Sequence, residues 1–234
     1  MAQLGEATVN ALGLLFSGDP VIWEVIGISF SVSLRALLFA TPVSLLIAFA
    51  LSYGNFPGRH FLIAAFNTLL SVPAVVVGLT LYILLSHQGP LGDLKLLFTQ
   101  NAMVLGQVAL CTPIIVALAH AALQGTDRRA WETARTLGAG PIRAIAVVFY
   151  EARFGVVAAV VAAFGRIIAE VGASLMLGGN IAGYTRNIPT AIALETSKGE
   201  FAQGIALGLV LLFFSFAINL LFHSVQGQGQ IRQL

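Results

Sequence analysis

Residues 131–141 read WETARTLGAGP, a short polar helix punctuated by glycines and set between long apolar runs. Just before it, Thr126 and Asp127 offer side-chain oxygens that accept free backbone N–H groups, the chemistry of a helix start. Arg128 to Leu137 contains no breaker. Gly138 suits the left-handed residue that ends a helix, and Pro141 suits the first turn of a second one. Ala130, Trp131, Ala134 and Leu137 then share one face, while Arg128, Glu132 and Arg135 share another at pairing distance. A helix this short is marginal alone in water, so its apolar face has to be buried. It either packs back onto its own membrane domain or inserts into a groove on a soluble partner.

The surroundings define the class. Apolar residues make up 58 % of the 234-residue chain and charged residues only 9 %, against about 25 % charged in ordinary soluble domains. So few charges cannot cover a soluble surface, and the chain reads as an integral membrane protein. The net charge of +2 comes without any basic tract, which excludes a nucleic-acid footprint. Residues 1–10 lack the basic start of a signal peptide. Cys111 is the single cysteine, lies in an apolar run and reads as a packing residue.

A span needs about 20 mostly apolar residues. Five stretches qualify, at about 30–53, 61–86, 102–124, 154–178 and 202–223, and they make a single all-α membrane domain over 1–234. The breaks carry turn chemistry at Gly54–Gly58 and Gly89–Gly92. With five spans, one side holds Arg59, Arg128, Arg129, Arg135, Arg143, Arg153 and Arg232, and the other Lys95, Arg186 and Lys198. The richer side is cytoplasmic, so the N-terminus lies outside and the C-terminus inside. Before the first span, Leu12–Phe16 and Val21–Ile28 are apolar but broken by Gly18-Asp19-Pro20, and they read as an interfacial piece on the outer face, with a sixth span as the alternative. Pro42, Pro73 and Pro113 fall within spans, where each bends its helix; they fit either plain packing or helices that curve around a pathway.

Charges within the spans are rare. Arg35 lies near the outer end of its span and can snorkel. Arg166 and Glu170 lie four residues apart on one face of the fourth span. They form either an ion pair that locks the bundle or a muted cationic point on an anion pathway. Asn67, Ser71, Gln107, Thr112 and Asn219 fit interhelical hydrogen bonding or pathway lining. His60, His87 and His120 stand apart, at no metal-ligand spacing. Residues 178–200 hold more than a connector needs: 188–194 fits a short helix at the outer entrance, and Tyr184, Arg186 and Lys198 offer polar contacts there. No phosphate-binding loop of the Gly-x-x-x-x-Gly-Lys-Ser/Thr type occurs, so any ATP-driven work needs a partner. No nucleophile–base or metal constellation supports a membrane enzyme. A stand-alone channel leaves the capped helix unexplained.

The opening stretch resembles the cytoplasmic signature of ATP-binding-cassette importer permeases: Glu-Ala-Ala, three residues, Gly, nine residues, then Ile-x-Leu-Pro. Here it reads Glu132-Thr133-Ala134, three residues, Gly138, nine residues, then Val148-Phe149-Tyr150-Glu151. Tyr150 and Glu151 depart from that pattern, which implies a less sharply bent junction with the next span. DPVIWEVIGISFSVSLRALLFATPVSLLIAFALSYGNFPGR, RTLGAGPIR and GRIIAEVGA look like the molybdate/sulfate branch of these permeases, and GGNIAGYTRNIPTAIALETSKGEF is most like its tungstate members.

The resemblance implies a type I importer permease in a prokaryotic inner membrane, without catalytic residues or a cofactor of its own. It implies a homodimer of permeases, two ATPase subunits carrying ATP and Mg, and an extracytoplasmic binding protein delivering an oxyanion. The ATPase would grip the coupling helix at Arg128, Ala130, Trp131, Glu132, Ala134, Leu137 and Gly138. Arg166 and Glu170 are the pathway candidates. Tyr184, Arg186 and Lys198 are the candidates for docking the binding protein. Tungstate, molybdate and sulfate all remain open as cargo.

Overall fold

The computed structural model describes Gly13 and residues 20–226, with side chains described as far as residue 220. Residues 1–10, Leu12–Phe16 apart from Gly13, and Arg232 lie outside the described residues. The described chain is helical throughout: α1 (Pro20–Tyr53), α2 (Arg59–Leu69), α3 (Ala74–Leu85), a 3-10 turn (Gly92–Leu94), α4 (Gln100–Gln124), α5 (Arg129–Thr136), α6 (Pro141–Glu151), α7 (Arg153–Ile168), α8 (Gly172–Gly178), α9 (Ile188–Ser197) and α10 (Phe201–Gln226).

Three helices are long and apolar enough to cross a membrane alone, α1, α4 and α10; counting each bent pair as one span gives up to five. α1 runs for 34 residues, about 50 Å at 1.5 Å per residue, well beyond a hydrocarbon core of about 30 Å. The segment Val21–Ile28, expected as a separate interfacial piece, is instead its first two turns. The reason is packing: Val25 and Ile26 are buried against Ile188 and Ala191 of α9 and Val210 of α10, so the helix has a surface to continue along.

α1 and α4 make the most extensive contact in the molecule. Val32, Ala36 and Ala40 of α1 meet Met103, Cys111 and Ile115 of α4 in a core that also takes Ala163 and Ile167 of α7. Small residues on α1 let the two backbones approach closely, the usual solution where lipid gives helices no hydrophobic reason to associate. Pro42 and Pro113 sit inside α1 and α4. Pro73 does more than bend its helix. It stands at the N-cap of α3, and α2 and α3 meet at 102°. Proline supplies no backbone N–H, so a helix start is where it costs least.

The stretch expected as one span over 154–178 is also divided, into α7 and α8 with a break at 169–171. α8 packs on α3 so closely that a Cβ on Gly78 would stand 2.8 Å from the Cα of Ala173. The junction of α6 and α7 is sharply bent, at 75°, although Glu151 stands where the family pattern has proline and Tyr150 where it has leucine. At the bend the Arg153 Nη1 donates to the Tyr150 carbonyl at 2.7 Å, and its guanidinium lies over the Tyr150 and Phe154 rings. That arrangement satisfies a carbonyl the helix end leaves free.

Candidate coupling helix and intramembrane ion pair

α5 is built from local chemistry. The Asp127 Oδ1 accepts from the Arg129 N–H at 2.9 Å and caps the helix start. Thr126 serves the other side, its hydroxyl donating to the Ala122 carbonyl at the end of α4. Gly138 takes φ +85°. Its N–H donates to the Arg135 carbonyl and that of Ala139 to the Ala134 carbonyl at 2.9 Å. This paired closure requires a left-handed residue, which glycine adopts without a Cβ penalty.

The apolar face of α5 is already occupied. Trp131 stands 5.6 Å from the Phe49 ring and 5.8 Å from the Tyr53 ring, at the end of α1. Phe149 completes the aromatic group, and buried Val148 and Ala152 floor it. Ala134 is buried and Ala130 half-buried. Leu137 departs from the face expected of it and is 82 % exposed. It is the C-cap, with φ −77° and ψ 7°, so the chain has already left the helix there. Ile142, at the start of α6, is equally exposed at 82 %. Sequence reasoning missed Ile142; an apolar residue right after Gly-Pro in a water-facing turn was the available signal. Arg128, Glu132 and Arg135 are exposed. Glu132 pairs with neither arginine, and Arg135 donates to the Ala139 carbonyl instead. The tip of the α5–α6 hairpin thus exposes Leu137 and Ile142.

The hairpin is packed onto the end of the bundle. Trp131 bears on Phe49 and Tyr53 of α1. α1 is tied to α4 by a hydrogen bond between the Ser52 hydroxyl and His120 Nδ1 at 2.9 Å, and by Gln124 reaching the Ser52 carbonyl. Arg59 of α2 donates to the Leu51 carbonyl.

Arg166 and Glu170 do meet, Nη1 to Oε2 at 2.6 Å. They do not share one helix, since α7 ends at Ile168. Arg166 is thirteen residues into α7, about 20 Å from its start at the helical rise and two residues from its end. Glu170 is 8 % exposed and Arg166 50 % exposed by side chain. Gln107 of α4 donates from Nε2 to the Ile167 carbonyl at 3.1 Å, which holds the last turn of α7. Thr112 and Asn219, by contrast, bond back to their own helices. Asn67 and Ser71 are exposed. Arg35 donates to the Gln100 side chain, and Gln100 to the Tyr184 carbonyl at 2.7 Å.

At the opposite end from α5, the loop before α9 is tightly held. Asn187 and Thr190 form a reciprocal cap on α9. Asn187 also donates to the Ser174 hydroxyl, and the Ile188 N–H donates to the Ser29 hydroxyl of α1. Tyr184 is exposed, Arg186 leans on Asn180, and Lys198 pairs with Glu195 at 3.0 Å. Tyr184 and Arg186 precede α9 while Lys198 follows it, so these three residues are not gathered into one cluster.

The comparisons with known proteins bear on this arrangement directly. Residues 40–228 match the family described as binding-protein-dependent transport system inner membrane component. The chain belongs to that family. It is 39 % identical over 217 residues to a tungstate uptake system permease protein of Campylobacter jejuni, covering 93 % of this chain and 91 % of that one. A tungstate uptake system permease protein of Peptoclostridium acidaminophilum is 38 % identical, covering 97 % and 99 %. The molybdenum transport system permease protein of Escherichia coli K12 is 31 % identical, covering 82 % and 91 %. Among solved structures, an inward-facing methionine ABC transporter matches with a TM-score of 0.66 at 16 % identity, covering 89 % of this chain and 94 % of that one. An amino acid ABC transporter matches at 0.65 and 15 %, covering 93 % and 97 %. This permease therefore has the type I importer fold. It is a multi-pass, non-catalytic inner-membrane subunit of an ATP-binding-cassette importer, a system that works with an ATPase and a binding protein.

Proposed function

We propose that this permease carries tungstate into the cytoplasm as a homodimer driven by two ATPase subunits, with ATP and Mg held on those subunits. The observation that carries the mechanical part is the exposed tip of the α5–α6 hairpin. Trp131 and Ala134 are spent on the permease itself, so the surface offered to the ATPase is Leu137, Ile142, Arg128 and Glu132, with Gly138 setting the turn between them. ATP binding draws two such hairpins together, and the Trp131–Phe49–Tyr53 contact passes the movement to α1 and α4.

Near-full-length similarity to permeases named for tungstate uptake supports that cargo over molybdate and sulfate. A tetrahedral oxyanion crossing the membrane needs a donor in a low-dielectric zone, and a guanidinium presents several N–H groups in a fork that fits its oxygens. Arg166 is that donor in this reading. A half-exposed arginine facing lipid near the middle of a bilayer would cost about 3 kcal/mol or more. A water-filled pathway, bounded by the second copy, removes that cost. The binding protein docks at the end that carries Tyr184, Arg186 and Lys198. The exposed apolar faces of α1 and α10 meet lipid or the second copy.

The test is ATP hydrolysis by the permease co-expressed with its ATPase in liposomes, with binding protein added empty or loaded with tungstate, molybdate or sulfate. Stimulation by the tungstate-loaded form alone supports the reading. Equal stimulation by the other anions would leave the importer and remove the tungstate assignment.

A further inference from the structure

Glu170 joins two helices through its two oxygens. Oε2 accepts from Arg166 of α7 at 2.6 Å, and Oε1 accepts from the Gly172 N–H at the start of α8 at 2.9 Å. Gly172 packs against Val75 of α3, where a Cβ would stand 2.6 Å from Cγ2. Gln107 fixes the carbonyl of Ile167 on the other side of the break. The carboxylate is thus held from two helices, beside a break that Gln107 also steadies, and it is buried. Arg166 is less confined: half of its side chain is exposed, and among the described residues its guanidinium donates only to Glu170, through Nη1. A guanidinium has five N–H donors, so Nε and Nη2 remain for another acceptor on the exposed side.

A fixed, buried negative charge beside a half-exposed, under-used positive one is a poor way to build a lock. A lock buries both partners and satisfies both. It suits a site through which an anion must pass and not stay. An oxyanion on the free edge of Arg166 sits several ångströms from Glu170, and like charges at that range in a partly buried site repel strongly. Because Glu170 is anchored to Gly172, it cannot swing away to relieve the repulsion.

We propose that Glu170 is a resident counter-anion that sets the hold of Arg166 on the passing oxyanion, keeping it weak enough for release. This rests on the reading of Arg166 as a pathway residue. Glu170 acts through Arg166 and is a positioning residue for transport. Its backbone tie to α8 also means that an anion repelling Glu170 pushes on the break between α7 and α8 and on the α3 contact beyond it.

The experiment measures radiolabelled tungstate binding to the permease–ATPase complex in nanodiscs by equilibrium dialysis, without binding protein, with unlabelled sulfate and phosphate as competitors. Glu170→Gln keeps an acceptor for the Gly172 N–H and removes the charge. It is expected to bind tungstate roughly tenfold or more tightly than the native complex, the scale set by one removed like charge in a partly buried site. It is also expected to lower the turnover of transport. The double variant Arg166→Gln/Glu170→Gln is expected to bind no better than Arg166→Gln alone. Native affinity in Glu170→Gln, or a gain that survives loss of Arg166, overturns the proposal. Should Glu170→Gln fail to assemble, Glu170→Asp draws the charge back by one methylene and must tighten binding by a smaller factor; unchanged affinity there overturns the proposal equally. Transport at the native level in Arg166→Gln refutes the pathway reading itself. Lost transport in Arg166→Gln together with unchanged binding in Glu170→Gln refutes only the role of Glu170.

Discussion

Leu137→Ala and Trp131→Ala separate the two faces of the coupling helix. Leu137 is 82 % exposed on the permease, so truncating it removes almost nothing from the fold. Once buried in an ATPase groove, a leucine side chain contributes about 2 kcal/mol, which converts to roughly thirtyfold weaker binding per site. Trp131 is the reverse case. A fully buried tryptophan cut to alanine costs about 3–5 kcal/mol. Trp131 is partly buried among Phe49, Tyr53 and Phe149, so about 2 kcal/mol is expected from the permease alone. The assay pairs thermal unfolding of the purified permease in detergent with ATPase titration by surface plasmon resonance. Leu137→Ala should unfold with the native midpoint and lose ATPase affinity. Trp131→Ala should unfold earlier, and in the assembled complex it should hydrolyse ATP with less transport per ATP. The reasoning is refuted if Trp131→Ala unfolds normally and loses the ATPase, or if Leu137→Ala unfolds early and keeps it.

Three further outcomes follow from the geometry. Gly138→Ala, forced to φ +85°, should cost about 1–2 kcal/mol and appear as faster amide exchange over 134–139. Gly78→Val, at a position where even a Cβ meets the Ala173 backbone at 2.8 Å, should force α3 from α8 and cost about 1–3 kcal/mol, read as a lower unfolding midpoint. Asn187→Ala, which loses the α9 cap and the Ser174 contact, should cost about 1–2 kcal/mol and expose the 179–187 loop to protease while leaving ATPase binding intact.

What the sequence made legible was local. Asp127 and Gly138 carry their own cap chemistry within a few residues, so the helix could be placed before any tertiary contact was known. The apolar stretches likewise announce themselves by length. The break at 70–73 follows from Pro73, which the sequence shows as a bend but not as a helix start; the break at 169–171 was less visible because part of what sustains it is distant. The Ile167 carbonyl is held by Gln107, sixty residues earlier, and Glu170 by the start of the following helix. Gln107 lies outside any window around 154–178, and the hydrophobicity of that window argued for a single span. Leu137 was misplaced for a geometric reason: an ideal helical wheel extends past Thr136, but the chain does not. Trp131 could be assigned to a buried face but not to a particular neighbour, because Phe49 and Tyr53 come from a helix eighty residues away. The early apolar run at Val21–Ile28 was grouped with Leu12–Phe16 as a piece too short to span, whereas it is continuous with the first span in one helix that starts at Pro20.

The central claim is that this permease moves its anion only when a docked ATPase works on the α5–α6 hairpin. The direct measurement is radiolabelled tungstate accumulation in proteoliposomes holding the permease and its ATPase, with tungstate-loaded binding protein outside and ATP inside. Uphill accumulation that requires ATP, the ATPase and the binding protein together, and that disappears in Leu137→Ala, is the predicted result. Downhill tungstate leak through the permease alone, unchanged by ATP or by Leu137→Ala, would contradict the account and describe a channel instead.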